Sequence, residues 1–258
     1  IDGGLGDDII YGGAGSDALK GNRGADTFIQ TVGETTGDNI DGGSETDGTR
    51  GNDTVNYSAF SSAAGIKVSL NDTSLANVTI GSNVSDHTLT NIENVIGSSG
   101  TDTIEGDTAN NSLNGLSGTN DTLSFAKTSK GVFVNISGNS INSDIDGNGS
   151  SDTIAANTAT GNEIGTDTVI NFDDVIGGSG NDTIIGDGFA NTLDGASGND
   201  ILVGGTGNDK LIGGAGLDTA SYAIDMAGIN VSLRQGSGTD GSSNTDTYDS
   251  IENILGSS

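Results

Sequence analysis

Residues 198–218 read GNDILVGGTGNDKLIGGAGLD. Asp200, Asp209 and Asp218 stand nine residues apart, glycine pairs (Gly204-Gly205 and Gly213-Gly214) precede the last two, and Leu202 and Leu211 each follow an aspartate by two residues. Like charges repel, and glycine gives up more backbone freedom on folding than any other residue, roughly 0.5–1 kcal/mol relative to alanine inside regular structure. A chain that repeats both at one fixed period is organised around something other than an oily core.

The whole sequence has the same bias. Only 31% of its 258 residues are hydrophobic and 4% aromatic; there are 45 glycines and no proline, cysteine or tryptophan, and 36 Asp and Glu against 8 Lys and Arg leave a net charge of −28. Low hydrophobicity with high charge is ordinarily the composition of a disordered chain, but disorder needs no period. The charge argues against nucleic acid and anionic membranes as partners, because both are held by basic patches, and it points to cations. No disulfide framework can replace the thin core, and no apolar run reaches the length of a membrane span.

The period extends well beyond the opening stretch. The unit G-G-x-G-x-D-x-U-x, with U a large apolar residue, fits 3–11, 12–20, 21–29, 97–105, 177–185, 195–203, 204–212 and 213–221. Degenerate copies stand at 106–114 and 186–194, with Asn111 and Asn191 in the acid position. Two copies are stretched: 115–124 by one residue, and 42–56 by six between Ser44 and Gly51. This unit resembles the repeats-in-toxin (RTX) calcium-binding nonapeptide family. The resemblance implies an all-β fold, a right-handed parallel β-roll or β-solenoid. Six residues would form a turn and three a short strand, two repeats would complete a coil, and calcium would lie between stacked turns, held by aspartate carboxylates and turn carbonyls.

A longer repeat is superimposed. Asp-Thr-x-x-aromatic segments at Asp53–Tyr57, Asp121–Phe125 and Asp218–Tyr222 are each followed by an alternating strand, at 65–70, 131–136 and 228–233. Each module then reaches an acidic pivot: IENVIG at 92–97, FDDVIG at 172–177 and IENILG at 251–256. The aromatics are expected to plug wider coils, and the linking segments of variable length to form surface loops. Glu93, Asp173 and Glu252 in the pivots suit either ligand or turn-capping roles. The expected organisation is one continuous solenoid segment of a longer protein, with sub-blocks 1–56, 57–124, 125–221 and 222–258. Ile1-Asp2 reads as the tail of a preceding strand and Gly256–Ser258 as the start of a further turn; the alternative is that identical chains stack end to end.

The chemistry explains the residue types. Glycine lets the turn adopt positive φ and aim carbonyls inward, and calcium takes six to eight hard oxygens, which carboxylates and carbonyls supply. Stacking at about the interstrand distance of 5 Å sets two carboxylates to repel by about 3 kcal/mol at an effective dielectric near 20. A divalent ion between them reverses that sign, so folding is expected to be linked to calcium. A metal-free solenoid of good turns would not require an acid at one fixed place. The candidate ligands are Asp8, Asp17, Asp26, Asp53, Asp102, Asp121, Asp182, Asp200, Asp209 and Asp218, paired across two repeats as Asp8 with Asp26, Asp102 with Asp121, Asp182 with Asp200, and Asp200 with Asp218. The asparagine copies are weaker ligands, for which Asp107 and Asp187 are candidate substitutes.

A separate stretch, DIDGNGSSD at 144–152, sets Asp144, Asp146, Asn148 and Asp152 in the pattern that opens an EF-hand loop, but Ala155 stands where its bidentate glutamate belongs. It is expected to be a calcium loop of another kind. His87, in a polar segment, is expected to be solvated, and no phosphate loop, nucleophile elbow or cofactor motif is present. The function expected is a calcium-hardened structural segment of an extracellular bacterial surface protein (layer, sheath, filament or large adhesin) with no enzymatic activity. The RTX resemblance implies type I secretion of the unfolded chain and folding in external calcium. The alternative is an accessory carboxy-terminal module of a secreted enzyme or toxin. Expected partners are calcium ions, further copies or repeats of the same protein and, more weakly, a cell-surface glycan; neither nucleic acid nor membrane insertion is expected.

Overall fold

The computed structural model describes residues 1–31, 37–44, 51–60, 65–71, 75–81 and 87–257. The insertion between Ser44 and Gly51 and the final Ser258 lie outside the described residues. Among those described, the chain forms 28 short strands and no helix. It divides into two compact units, Ile1–Thr122 and Leu123–Ser258.

In the first unit, strand Ile9–Tyr11 pairs in parallel with Thr27–Ile29, eighteen residues on, and Ile10 faces Phe28. Phe28 faces Val55, Val55 faces Val95 and Val95 faces Leu113, which makes one apolar ladder. The alternate repeats build the other sheet, where Leu19 faces Ile40 and Ile40 faces Leu89. The second unit repeats this arrangement. Ile184 faces Leu202 and Leu202 faces Ala220, while Val175 faces Leu193, Leu193 faces Leu211 and Leu211 faces Tyr248. Two repeats therefore make one coil, and the U side chains fill its interior: all the repeat U residues from Ile10 to Ala220 are buried. Burying each stabilises the coil by roughly 1.5–3 kcal/mol.

The three modules depart from a simple wide coil. In the first, strands Ile66–Ser69, Ala76–Ile80 and His87–Thr90 run antiparallel in succession, and the two outer strands join the parallel stack, the first to Thr103–Glu105 and the third to Asn39–Gly43. Val132–Asn135, Thr158–Gly161 and Gly165–Ile170 pair in the same antiparallel way in the second module, and Asn230–Ser232, Ser237–Thr239 and Thr245–Asp249 in the third. Among the described residues, the linkers expected to be loops also carry strands. Segments such as Asn77-Val78-Thr79-Ile80 alternate in polarity, and antiparallel pairing satisfies backbone groups that a loop against the coil would leave without partners. Tyr57, Phe125 and Tyr222 are buried at the three module entrances, and their amides donate to the carbonyls of Ile96, Ile176 and Leu255 at the ends of the pivot strands.

The second unit carries one further layer. Strands Ile141–Ser143 and Asp152–Ile154 form an antiparallel hairpin. Its Ile145 and Ile154 bury Ile185 and Val203, the outward residues of two coil strands. The doubled apolar pairs Ile184-Ile185 and Leu202-Val203 mark those strands as covered on both faces.

Candidate metal centre

The repeat turns set the sixth-position acids in a ladder. Oδ1 of Asp26 accepts the amide N–H of Asp8 at 2.8 Å, and Oδ1 of Asp53 accepts that of Asp26 at 2.8 Å. Asp121 likewise accepts from Asp102 (2.8 Å), Asp200 from Asp182 (2.7 Å), and Asp218 from Asp200 (2.8 Å). All four pairs expected from the spacing are brought together. Each contact is a charge-assisted hydrogen bond, the stronger kind, so one oxygen of each acid ties consecutive coils together before any ion is considered.

The other oxygen is the one suited to a cation. Oδ2 of Asp8, Asp17, Asp200, Asp209 and Asp218 is buried and accepts no hydrogen bond. It turns toward the first glycine of its own turn: a Cβ added to Gly3 would lie 2.7 Å from Oδ2 of Asp8, and one on Gly213 would lie 2.6 Å from Oδ2 of Asp218. Gly195 and Gly204 stand equally close to Asp200 and Asp209. The first glycine is thus required for close approach. The fourth is required for its backbone: φ is +93° at Gly6, +131° at Gly198 and +142° at Gly207. A buried carboxylate oxygen without a donor costs free energy unless it is protonated or coordinates a metal. The donor set, hard carboxylate oxygens beside turn carbonyls, fits calcium.

Electrostatics agree. Burial, with the charges of Asp182, Asp218 and Asp194 behind it, pushes the Asp200 carboxyl up to about 7 against the downward pull of the Asp182 amide. Burial, assisted by Asp246, Asp240 and Asp187, does the same to Asp209, also to about 7. Asp182, Asp218 and Asp246 are raised as well, chiefly by burial. These are acids held where negative charge is costly.

Two of the expected ligands have full complements of donors. Asp182 takes the Val132 amide on Oδ1 (2.9 Å) and the Gly178 amide on Oδ2 (2.7 Å). Asp102 takes the amides of Ile66 (2.8 Å) and Ser98 (2.6 Å) and the Ser98 hydroxyl (2.7 Å). Both sit where an antiparallel strand precedes the repeat block.

The asparagine turns close by a different route. Oδ1 of Asn111 accepts the Asp107 amide and its Nδ2 donates to the Glu93 carbonyl, each at 2.8 Å. Asn191 does the same with the Asp187 amide (2.9 Å) and the Asp173 carbonyl (2.7 Å). An amide group carries both donor and acceptor, so it can donate to a carbonyl of the preceding coil, a group that an ionised carboxylate can approach only through a cation. Asp107 and Asp187 serve these asparagines, each accepting from its Nδ2 at 3.2 Å.

The structure also places residues in the ladder that the repeat frame did not reveal. Asp38 accepts from the Asp17 amide (2.9 Å) and Asp246 from the Asp209 amide (3.0 Å). The pivot acids Glu93 and Glu252 accept from Asp53 and Asp218, both at 2.9 Å. The D-x-U half of the repeat marks Asp38 through Ile40 and Asp246 through Tyr248, even though, of the repeat's glycine positions, only the first is kept, by Gly33 or Gly241. His87 occupies the same position in the first module. It is 1% exposed, its Nδ1 accepts the Asp38 amide at 3.4 Å, and its ring meets Tyr57 edge-on at 5.8 Å. The expectation that it is solvated was therefore mistaken: its polar sequence neighbours concealed a ladder position. In the third module the corresponding contact is polar. The Tyr222 hydroxyl donates to Asp246 at 2.7 Å and also meets the Tyr248 hydroxyl.

The 144–152 loop lies at the tip of the outer hairpin. Carboxylate oxygens of Asp144, Asp146 and Asp152 all lie within 4.8 Å of one another. Asp144 and Asp146 accept the Asn148 amide, both at 2.9 Å, and Asp152 accepts that of Ile145 at 3.0 Å. Asn148 directs its Oδ1 to the Ser150 amide (2.8 Å) and its Nδ2 to Asp146 (2.6 Å).

Two family models match the chain. The model of the RTX calcium-binding nonapeptide repeat (four copies) matches residues 1–28, 171–200 and 185–220. That of the peptidase M10 serralysin C terminus matches residues 45–117. A comparison with curated proteins finds no match.

Proposed function

We propose that this chain, whose residues 1–28, 171–200 and 185–220 match the RTX calcium-binding nonapeptide repeat, is a calcium-binding structural segment of an extracellular bacterial surface protein that folds when calcium binds. The ladder carries this reading: one carboxylate oxygen of Asp26, Asp53, Asp121, Asp200, Asp209 and Asp218 is tied to the preceding coil, and in Asp200, Asp209 and Asp218 the other is buried without a donor, as Oδ2 is in Asp8 and Asp17. The proposed ligands are the sixth-position acids, with the 144–152 loop as a separate candidate. Extracellular calcium sites bind at roughly 10⁻⁴–10⁻³ M. Such a segment stays slack at cytosolic calcium and hardens outside, which suits type I export of an unfolded chain. The segment has no chemistry of its own, and its role is served by neighbouring repeats or further copies. Circular dichroism on decalcified protein tests this: calcium at millimolar levels should convert a coil-like spectrum to a β-rich one, and an unchanged spectrum overturns the reading.

A second reading is favoured by the serralysin C-terminal match at 45–117. In it the chain is the accessory module of a secreted enzyme, assisting export and folding while catalysis lies elsewhere in the protein. The flanking gene sequence decides between them: a hydrolase domain supports the accessory role, and long further repeats support the structural one.

A further inference from the structure

Phe133 is out of place for a folding residue. It sits in strand Val132–Asn135 between Val132 and Val134, which are buried, and its own side chain is 49% exposed. The equivalent outward position holds Lys67 in the first module (GIKVSL) and Asn230 in the third (GINVSL). Polar residues therefore serve the antiparallel strand equally well, and the large aromatic ring is not demanded by the fold.

Phe133 lies opposite Thr160, and Thr160 lies opposite Thr166 on the next strand. Threonines recur at this place in the other modules, where Lys67 lies opposite Thr79 and Asn230 opposite Thr239, itself opposite Thr245; what the second module adds is the aromatic ring and the outer hairpin beside it. The outer hairpin raises a wall along one side, so that Phe133, Thr158, Thr160 and Thr166 together with Asp152 and Thr153 line a groove of about 360 Å³. That is within the size range of small-ligand sites, about 300–1,000 Å³. No lysine or arginine lines it, and the chain's net charge of −28 repels polyanions. The one charged lining residue, Asp152, belongs to the 144–152 carboxylate cluster, where calcium would neutralise it under the reading above, so it leaves little charge for a cationic ligand in the groove. A row of hydroxyls is a poor bed for a lipid chain. A threonine hydroxyl can both donate and accept; Thr158 already donates to the Ala155 carbonyl at 2.8 Å and so offers its lone pairs, and an aromatic face offers apolar area at little conformational cost. The ligand that matches an apolar plate ringed by neutral donor–acceptor groups is one with a C–H face and a rim of hydroxyls.

We propose that the Phe133 groove binds a neutral saccharide, with one sugar ring on the phenyl face and its hydroxyls paired with the threonines. The binding is separate from the calcium-dependent folding proposed above. The test uses the whole chain, calcium-loaded, titrated by NMR with cellotriose, laminaritriose, maltotriose, mannotriose and chitotriose. At least one should bind, and Phe133→Asn, which installs the third module's residue, should weaken that binding at least tenfold while the calcium-induced β spectrum is unchanged. Thr160→Val, which keeps a β-branched side chain in the strand, should weaken it several-fold. Absence of binding to all five, or binding by both variants equal to that of the wild type, overturns the proposal. Because folding is read on the same samples, a protein that folds with calcium but binds no sugar refutes the groove and leaves the calcium reading standing.

Discussion

Asp200 serves two coils, and replacing it by asparagine or by alanine separates its two duties. Its Oδ1 holds the Asp182 amide at 2.7 Å, while its Oδ2 is buried beside Gly195 without a donor. Asp200→Asn retains an oxygen for the amide and removes the charge; Asp200→Ala removes both. In the metal-free chain the carboxyl is raised from 3.8 to about 7. At pH 7.5 its ionisation therefore opposes folding by roughly 4 kcal/mol, at about 1.4 kcal/mol per tenfold change. Asp200→Asn should recover most of that and fold more readily than wild type without metal. Asp200→Ala should fall below the asparagine variant by about 1–3 kcal/mol, because the Asp182 amide becomes a buried donor without an acceptor. With calcium the order of wild type and Asp200→Asn should reverse or close. At about 10 mM calcium and affinities near 10⁻⁴–10⁻³ M, each site stabilises by roughly 1.4–2.7 kcal/mol, and Asp200 borders two. The assay is osmolyte-driven folding followed by circular dichroism, with and without chelator, since excluded osmolytes favour the compact state. If Asp200→Asn folds less readily than wild type in chelator, or keeps the full calcium response, the division of labour between Oδ1 and Oδ2 is wrong.

Acid should partly replace calcium. Asp200, Asp209, Asp182, Asp218 and Asp246 all bind protons more tightly folded than unfolded. Their contribution is therefore fully present below the unfolded value near 4 and is lost as pH rises toward about 7; decalcified protein should gain β signal between pH 7.5 and 5, and a loss of signal over that range contradicts the burial argument. Gly195→Ala should destabilise the calcium-loaded chain by about 1–3 kcal/mol through the clash with the Asp200 carboxylate. Gly138→Ala, with no atom within 4 Å of its Cβ, should stay within about 0.5 kcal/mol; equal urea midpoints for the two variants would remove the case for a tight cradle.

The repeat frame made the coil legible because two signals coincide in it. The acid at position six and the apolar residue at position eight are fixed by different interactions, so Asp200 with Leu202 and Asp209 with Leu211 could be assigned to turn and interior together. Where one signal drops out, legibility falls. Asp38, Asp246 and His87 lack the preceding glycine pair, and their place in the ladder follows from strand register set by distant residues. The antiparallel excursions were hidden for a related reason: alternation marks a strand, but its direction depends on which neighbour it finds. The outer hairpin was foreshadowed only by the second apolar residue in Ile184-Ile185 and Leu202-Val203. The asparagine turns were expected to lean on Asp107 and Asp187, whereas their own amide groups bond across the coil.

The ladder runs one way. Both peptide groups of a sixth-position residue are completed by the coil that comes later in the chain: the Asp182 amide by Asp200 and its carbonyl by the Ile201 amide, the Asp8 amide by Asp26 and its carbonyl by the Thr27 amide. A coil removed from the amino side exposes carboxylate oxygens, which water solvates readily. A coil removed from the carboxy side strands buried peptide groups instead. The assembly is therefore vectorial: each turn waits on its successor, and ordering is expected to spread from the carboxy-terminal side toward the amino terminus.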